Sequence, residues 1–427
     1  MVNNAVLQFT DRAFLAHESM ASLEAILPAS MLALITLGFF QTIVGYSGTF
    51  VAQYFGAGRP FMCRRSYHAG LWLAVVSGVL MIGAVPLGDR IFETFSHGEE
   101  VIARQKVYYD ICTAGGVFLF GQMAAQAYFT GLGRTRIVLL VNVIGNVLNV
   151  ALDPLLIFGM FGCPKLGIAG AAYATVAATA VQWGILAFAA HRVRVSDGAD
   201  ADEEPMSALV WRIVRFGIPA GAYSILNILS FTIFVFFTGG VGHVAAAVSN
   251  ACFTVNYLLL APMDGFALGA ATLVGQDQGR GDSEAAMRNG TRTMILGVAF
   301  VTVLSATVLA LHRPVLSLFS SQIGAADAAQ FQLIGFTLFV LMAVWQVFDA
   351  ADVVLLGGLR GAGDTKFVMT WMFVVSFLLW MPSVLLVVKF HNTMEALWLT
   401  VLGDVVVLCV GTLVRWYRGT WKGIKVV

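Results

Sequence analysis

The chain has 427 residues, of which 59% are hydrophobic and 11% charged, with a mean hydropathy of +0.82 and a net charge of +1. Water-soluble domains carry roughly 25% charged residues, so this composition excludes a soluble globular fold and places the chain in a lipid bilayer, and the near-neutral balance gives no reason for a nucleic-acid partner. The five cysteines, Cys63, Cys112, Cys163, Cys252 and Cys409, are widely spaced without a CxxC pair and read as small apolar residues.

A helix rises about 1.5 Å per residue and the hydrocarbon layer is about 30 Å thick. Apolar runs of that reach predict an all-α polytopic membrane protein of twelve transmembrane helices, near 1–16 (partial), 26–54, 69–88, 107–131, 137–159, 166–190, 208–238, 244–274, 291–312, 330–357, 367–388 and 395–415. The first run carries Asn3, Asn4, Gln8, Asp11 and Arg12, too polar for a cleavable signal peptide. Asn4, Gln8 and Asp11 fall at i, i+4 and i+7 and form one polar stripe, whereas the adjacent Arg12 points from a different face.

The fifth run, 137–159, holds a longer stripe: Asn142, Asn146, Asn149 and Asp153 recur at i, i+4, i+7 and i+11 on one face of an otherwise apolar helix. A charged Asp at the centre of a spanning helix costs about 2.5–3.5 kcal/mol, so Asp153 needs a partner, a proton or a cation. Pro154 cannot donate a backbone N–H and frees the carbonyl of Val150. Amides alone would serve helix packing, but packing has no use for a charge. In the sixth run Thr175 sits among small residues, where its hydroxyl either joins this cluster or bonds back to its own helix.

Residues 191–207 are polar and acidic, and divide the chain into an N-terminal lobe, 1–190, and a C-terminal lobe, 208–415, followed by a tail, 416–427. Val51, Gln53, Gly56 and Gly58 match Val274, Gln276, Gly279 and Gly281 at an offset of 223, and GLGRTR at 131–136 matches GAGDTK at 361–366 at an offset of 230. Such a repeat predicts two pseudo-symmetric six-helix bundles of the same orientation with a central cavity. It also places the counterpart of the start of span seven ahead of Met1, so the first helix is expected to be truncated in this sequence. Eighteen of the 25 Lys and Arg lie in the even-to-odd connections, the span ends that adjoin them and the tail, which puts both termini in the cytoplasm and the protein in the inner membrane.

In the second half Gln346, Asp349 and Asp352 are spaced by three on one helix face. Two carboxylates one turn apart repel when both are charged, an arrangement suited to proton coupling. The other reading sets Asp352 at the membrane surface, simply hydrated. Asp264, Asp404 and Asp110 are further acids within spans and rank below Asp11, Asp153 and Asp349. The glycine stretches lack the spacing of a phosphate-binding loop, and no metal cluster or nucleophile elbow is visible, so the chain is not expected to be an enzyme or to need a cofactor. Its energy source is then an ion gradient.

VAQYFGAGR, NVLNVALDPLLIFG followed by LGIAGAAYAT, LVGQDQGRGD and DAADVVLLGGLRGAGDTK together resemble the multidrug and toxic compound extrusion (MATE) family. The resemblance implies twelve helices in two bundles and the exchange of Na⁺ or H⁺ for organic cations and other amphiphiles. The partners it implies are such small molecules and the lipid bilayer, with the protein a monomer. The family's first-lobe cation pattern falls on Asp11, Asn149, Asp153 and Thr175, and the helix-ten acid of another branch falls on Asp349. This chain departs from that branch in span seven, which offers only Asn227 and Ser230 where the branch has an acid, and this moves the expected cation site to the first lobe. The nearest rival is a lipid-linked precursor flippase of the same superfamily, which would want a basic cavity, whereas few Lys or Arg lie inside the spans.

Overall fold

The computed structural model describes residues 14–15, 17–94, 98–193, 204–319, 328–391 and 393–427. Every regular element among them is helical. The chain runs through α1 (Met20–Gly45), α2 (Ser47–Gly56), α3 (Pro60–Thr94), α4 (Glu99–Ala114), α5 (Gly116–Gly131), α6 (Thr135–Phe158), α7 (Ile168–Arg192) and α8 (Met206–Thr238). It continues through α9 (His243–Gly279), α10 (Ser283–Ala310), the short α11 (His312–Ser317) and α12 (Ala328–Ala362). Next come α13 (Thr365–Phe373), a π-helical turn at Val374–Trp380, α14 (Met381–Phe390) and α15 (Met394–Arg418).

Ten helical stretches among the described residues are long and apolar enough to cross a membrane. The expected fourth span, 107–131, falls on α4 and α5, which meet at Gly115 in the right-handed helical region (φ −73°, ψ −4°). Helix α4 begins at Glu99, earlier than the 107 expected from hydropathy, because a polar first turn extends beyond the apolar stretch. The expected first helix, apart from its last residues, lies outside the described residues. The protein is an all-α polytopic membrane protein.

Two compact units divide between residues 225 and 226, inside α8. In the first, α6 packs on α7, α3 on α5, α1 on α4 and α5 on α7; in the second, α12 is the centre, packed on α9, α10 and α15. The start of α8 is tied to α3 by Arg65, whose Nη2 donates to the backbone carbonyl of Glu204 at 2.7 Å, while the Glu204 carboxylate accepts from Arg212 Nη1 at 2.6 Å.

The repeats seen in the sequence are helix endings. Gly58 and Gly281 have φ of 70° and 78°, and Gly133 and Gly363 have φ of 74° and 96°, left-handed values that a residue with a Cβ adopts only under strain. After each glycine the next N–H reaches back five residues: Arg59 to Tyr54 at 2.9 Å, Asp282 to Asp277 at 3.0 Å, and Arg134 to Phe129 and Asp364 to Leu359 at 2.8 Å. Two helices of the second unit open on a side-chain cap. Asp282 Oδ1 accepts from the Ala285 N–H at 2.8 Å to open α10, and Thr393 Oγ1 accepts from Ala396 at 3.3 Å to open α15.

The core of the second unit is built around Trp398, which stacks on Phe253 and Trp345 with centroids 5.1 and 5.0 Å away while its Nε1 donates to Ser249 at 3.0 Å. A buried indole thus keeps both its apolar area and its hydrogen bond. Outer faces are apolar and bare, as Leu139, Leu140, Val143 and Val147 show along α6, a surface that only lipid suits.

Candidate functional site

Helix α6 has two faces. Against those four lipid-facing residues stands a buried line at every fourth position: Val141, Gly145, Asn149, Asp153 and Ile157. Four-residue steps keep one face toward the interior of the unit, and that face carries the acid. Asp153 is 0% and Asn149 1% exposed. The Asn149 Nδ2 donates to Thr175 Oγ1 on α7 at 3.3 Å, while its Oδ1 is buried with no hydrogen-bond partner among the described residues. Three of the expected site residues, Asn149, Asp153 and Thr175, are therefore carried on two packed helices. Asn146 sits half-buried on the flank of the same stripe. Asp11, Asn4 and Gln8 lie outside the described residues.

A second layer of amides continues the stripe toward Arg134. Gln126 Nε2 on α5 donates to Asn142 Oδ1 at 2.7 Å, and Gln122 Nε2 donates to Gln182 Oε1 of α7 at 2.6 Å. Gln182 in turn donates to the Asn142 carbonyl at 3.4 Å. These glutamines escaped the sequence reading. The signal was present for two of them, since Gln122 and Gln126 stand at i and i+4 in an apolar run, but Gln182 is isolated in its span.

At the far end of the unit Glu18 is gripped by three groups. Ser22 Oγ donates to its Oε2 at 2.5 Å and Ser19 Oγ at 2.9 Å, and Arg104 Nη1 of α4 lies 3.4 Å away. Arg104 also donates to Ser22 Oγ at 2.6 Å and to Glu100 at 2.8 Å. Burial pushes the Glu18 carboxyl up, but the two serine hydroxyls and the Arg104 guanidinium outweigh it and hold the group below its ordinary value.

The second unit holds a separate acidic group. Asp352 on α12 is 4% exposed, so it is not a hydrated surface group, and Asp349 one turn away is half-buried. Asp404 of α15 lies within electrostatic range of both, and Asp264 of α9 within range of Asp349. Ser376, set in the π-helical turn, donates to the Asp404 carboxylate with its Oγ 3.2 and 3.4 Å from the two oxygens. The extra residue of a π-turn re-aims side chains and recurs at functional sites. Gln346 is fully buried and donates to Asn256 Oδ1 on α9. In span seven Asn227 is exposed and Ser230 buried, and Asp110 is half-buried on α4. Among the described residues no three His, Cys, Asp or Glu side chains gather as a metal site. A cation held by the first unit would therefore be bound by mixed oxygens: carboxylate, amide carbonyl and hydroxyl.

Residues 1–155 and 219–386 match the family model MatE. A protein of Thermotoga maritima described as "Probable multidrug resistance protein NorM" is 24% identical over 418 residues, covering 96% of this chain and 88% of its own. Solved structures described as MATE in the bent and in the straight conformation share the fold with TM-scores of 0.84 and 0.85 at 18% and 17% identity, each covering 97% of this chain and 91% and 92% of its own.

Proposed function

The chain belongs to the MatE family of membrane transporters, and from that premise we propose that it is a secondary-active antiporter, exporting drugs or other amphiphilic and cationic small molecules in exchange for Na⁺ or H⁺. The supporting observation is the fully buried carboxylate of Asp153 on a lipid-spanning helix, one turn from Asn149, whose amide donates to the Thr175 hydroxyl of α7 and whose Oδ1 is buried without a hydrogen-bond partner among the described residues. Hard oxygen donors of this kind suit a small cation or a proton and suit little else.

Coupling follows from differential affinity. A cation that binds one arrangement of α6 and α7 better than another shifts the protein toward it by no more than that difference, and a shift from 1:99 to 99:1 takes about 5.5 kcal/mol. A substrate that prefers the opposite arrangement is then released as the cation enters. The bent and straight conformations described for the two solved structures are the kind of two-state element such coupling needs. The charge bias of the connecting segments supports a reading with both termini on the cytoplasmic side of the inner membrane, and on that reading export runs outward from there.

Efflux of a fluorescent cation from proteoliposomes tests the reading, driven first by a sodium gradient alone and then by a pH gradient alone. One of the two drives efflux in the wild type, and Asp153→Asn loses it. Full gradient-driven efflux by Asp153→Asn overturns the site.

A further inference from the structure

The arginine-rich ends of the two repeats neutralise their charges differently. In the second unit Asp364 follows Gly363 at the turn into α13, and its Oδ2 accepts from Arg415 Nε of α15 at 2.7 Å. Arg415 lies over the ring of Phe367, 4.9 Å from its centroid. An offset of 230 from Asp364 leads to Arg134, and an offset of 223 from Arg415 leads to Arg192. The first unit keeps the same glycine turn and the same arginine at a helix end, with Arg192 at 4.9 Å over Phe188. What it lacks is the acid, because the position that pairs with the helix-end arginine is itself an arginine.

Arg134, Arg136 and Arg192 consequently line one open cavity of about 660 Å³ whose walls contain no acidic residue among the described residues. None of the three has an ion pair among the described residues, whereas their counterpart Arg415 does. The first turn of α6 also opens into this cavity through Thr135 and Arg136, and Arg134 provides no side-chain cap for its amides. Uncapped N–H groups and the helix dipole add positive potential to that of the three guanidiniums. One turn further on, on the faces of Arg136 and Arg192, stand Leu139, Leu140 and Phe188, each more than 60% exposed. A positive cup thus adjoins a bare apolar shoulder.

We infer that this cavity binds the headgroup phosphate of an anionic phospholipid, whose acyl chains lie along Leu139, Leu140 and Phe188. Only an amphiphile with a negative head satisfies both halves of the surface, and an anionic cytoplasmic leaflet supplies it at the arginine-rich end of the helices. The lipid bridges the ends of α6 and α7, the two helices that carry Asn149, Asp153 and Thr175.

Native mass spectrometry of the detergent-purified full chain tests this with phosphatidylglycerol and phosphatidylcholine of identical acyl chains. Phosphatidylglycerol is retained in preference, and each of Arg134→Gln, Arg136→Gln and Arg192→Gln weakens it about fivefold. Arg134→Asp copies the other repeat, gives Arg192 an internal partner and abolishes the preference, with a wild-type unfolding curve by circular dichroism as its control. Should that variant misfold, the Arg136→Gln and Arg192→Gln pair carries the test. Equal retention of the two lipids, or a preference surviving these substitutions, overturns the inference. Displacement of phosphatidylglycerol by inorganic phosphate at equal concentration overturns it too, since the ligand is then a free anion.

Discussion

Gly145 on α6 lies directly against the side-chain amide of Gln182 on α7, and a methyl group at Gly145 would occupy the space that the amide fills. The closeness lets Gln182 accept from Gln122 and donate to the Asn142 carbonyl, joining three helices through one side chain. Gly145→Ala therefore overpacks the contact at a cost of about 1–3 kcal/mol. Lower thermal stability in detergent is the expected result. Combining it with Gln182→Ala recovers part of the loss, because the double variant removes the clash. Two losses that simply add would place the clash elsewhere.

The first unit, rather than the second, is expected to hold the coupling cation. Asp153→Asn removes the charge and abolishes cation binding, and Asn149→Ala removes a carbonyl donor and the bond to Thr175, weakening binding about tenfold, which is about 1.4 kcal/mol. Asp349→Asn leaves binding within about twofold, since its carboxylate belongs to the other unit. Cation-dependent tryptophan fluorescence of the purified variants reads all three. Loss of the response in Asp349→Asn with retention in Asp153→Asn would move the site to α12.

Much of this was legible because a bilayer simplifies the code. A polar residue inside a span is costly wherever it stands, so Asn149 and Asp153 were conspicuous before any fold was known, and a period of four put them on the buried face that the structure gives them. The repeated glycines were visible as a motif, but their reason, a left-handed turn ending a helix, appears only with φ values. Asp404 does not stand out in the sequence, since its neighbours Asp352 and Ser376 come from two other helical segments and no spacing along one helix reports such a neighbour. Hydropathy cannot see a π-turn either, because its side chains are as apolar as those of an ordinary helix. Gln182 was missed for the same reason as Asp404: its partners are on α5 and α6.

The Asp364–Arg415 pair makes a stability prediction with an internal control. Asp364 is buried and Arg415 half-buried, so removing the arginine leaves a largely desolvated carboxylate unpaired. Arg415→Met is expected to cost about 1–3 kcal/mol, below the 3–5 kcal/mol typical of a fully buried pair because the arginine is partly hydrated. Arg192→Met at the corresponding place in the first unit breaks no ion pair among the described residues and costs no more than about 0.5 kcal/mol in lipid-free detergent. Thermal unfolding of the two variants side by side checks the difference. Equal losses would mean that Arg415 acts through its stacking on Phe367, a contact that Arg192 shares with Phe188.

Glu18 predicts the direction of a pH dependence. Its carboxyl sits below the ordinary value of 4.5, because hydrogen bonds from Ser22 and Ser19 and the charge of Arg104 together exceed the opposing effect of burial. A carboxylate whose folded value lies below its unfolded one stabilises the protein fully above the unfolded value. That contribution is lost as the pH falls through the folded one. Wild-type melting temperature in detergent should therefore drop as the pH passes downward through the ordinary glutamate range, and Glu18→Gln should start lower at neutral pH and fall less steeply. Arg104→Met flattens the same limb, since it removes the guanidinium that holds both Glu18 and Ser22. Glu100→Gln keeps the wild-type slope because Glu100 is 71% exposed and its bond to Arg104 is screened by water. A slope that responds to Glu100 instead of Glu18 would show that the arginine is anchored by its own helix, and that the segment ahead of α1 is held by packing alone.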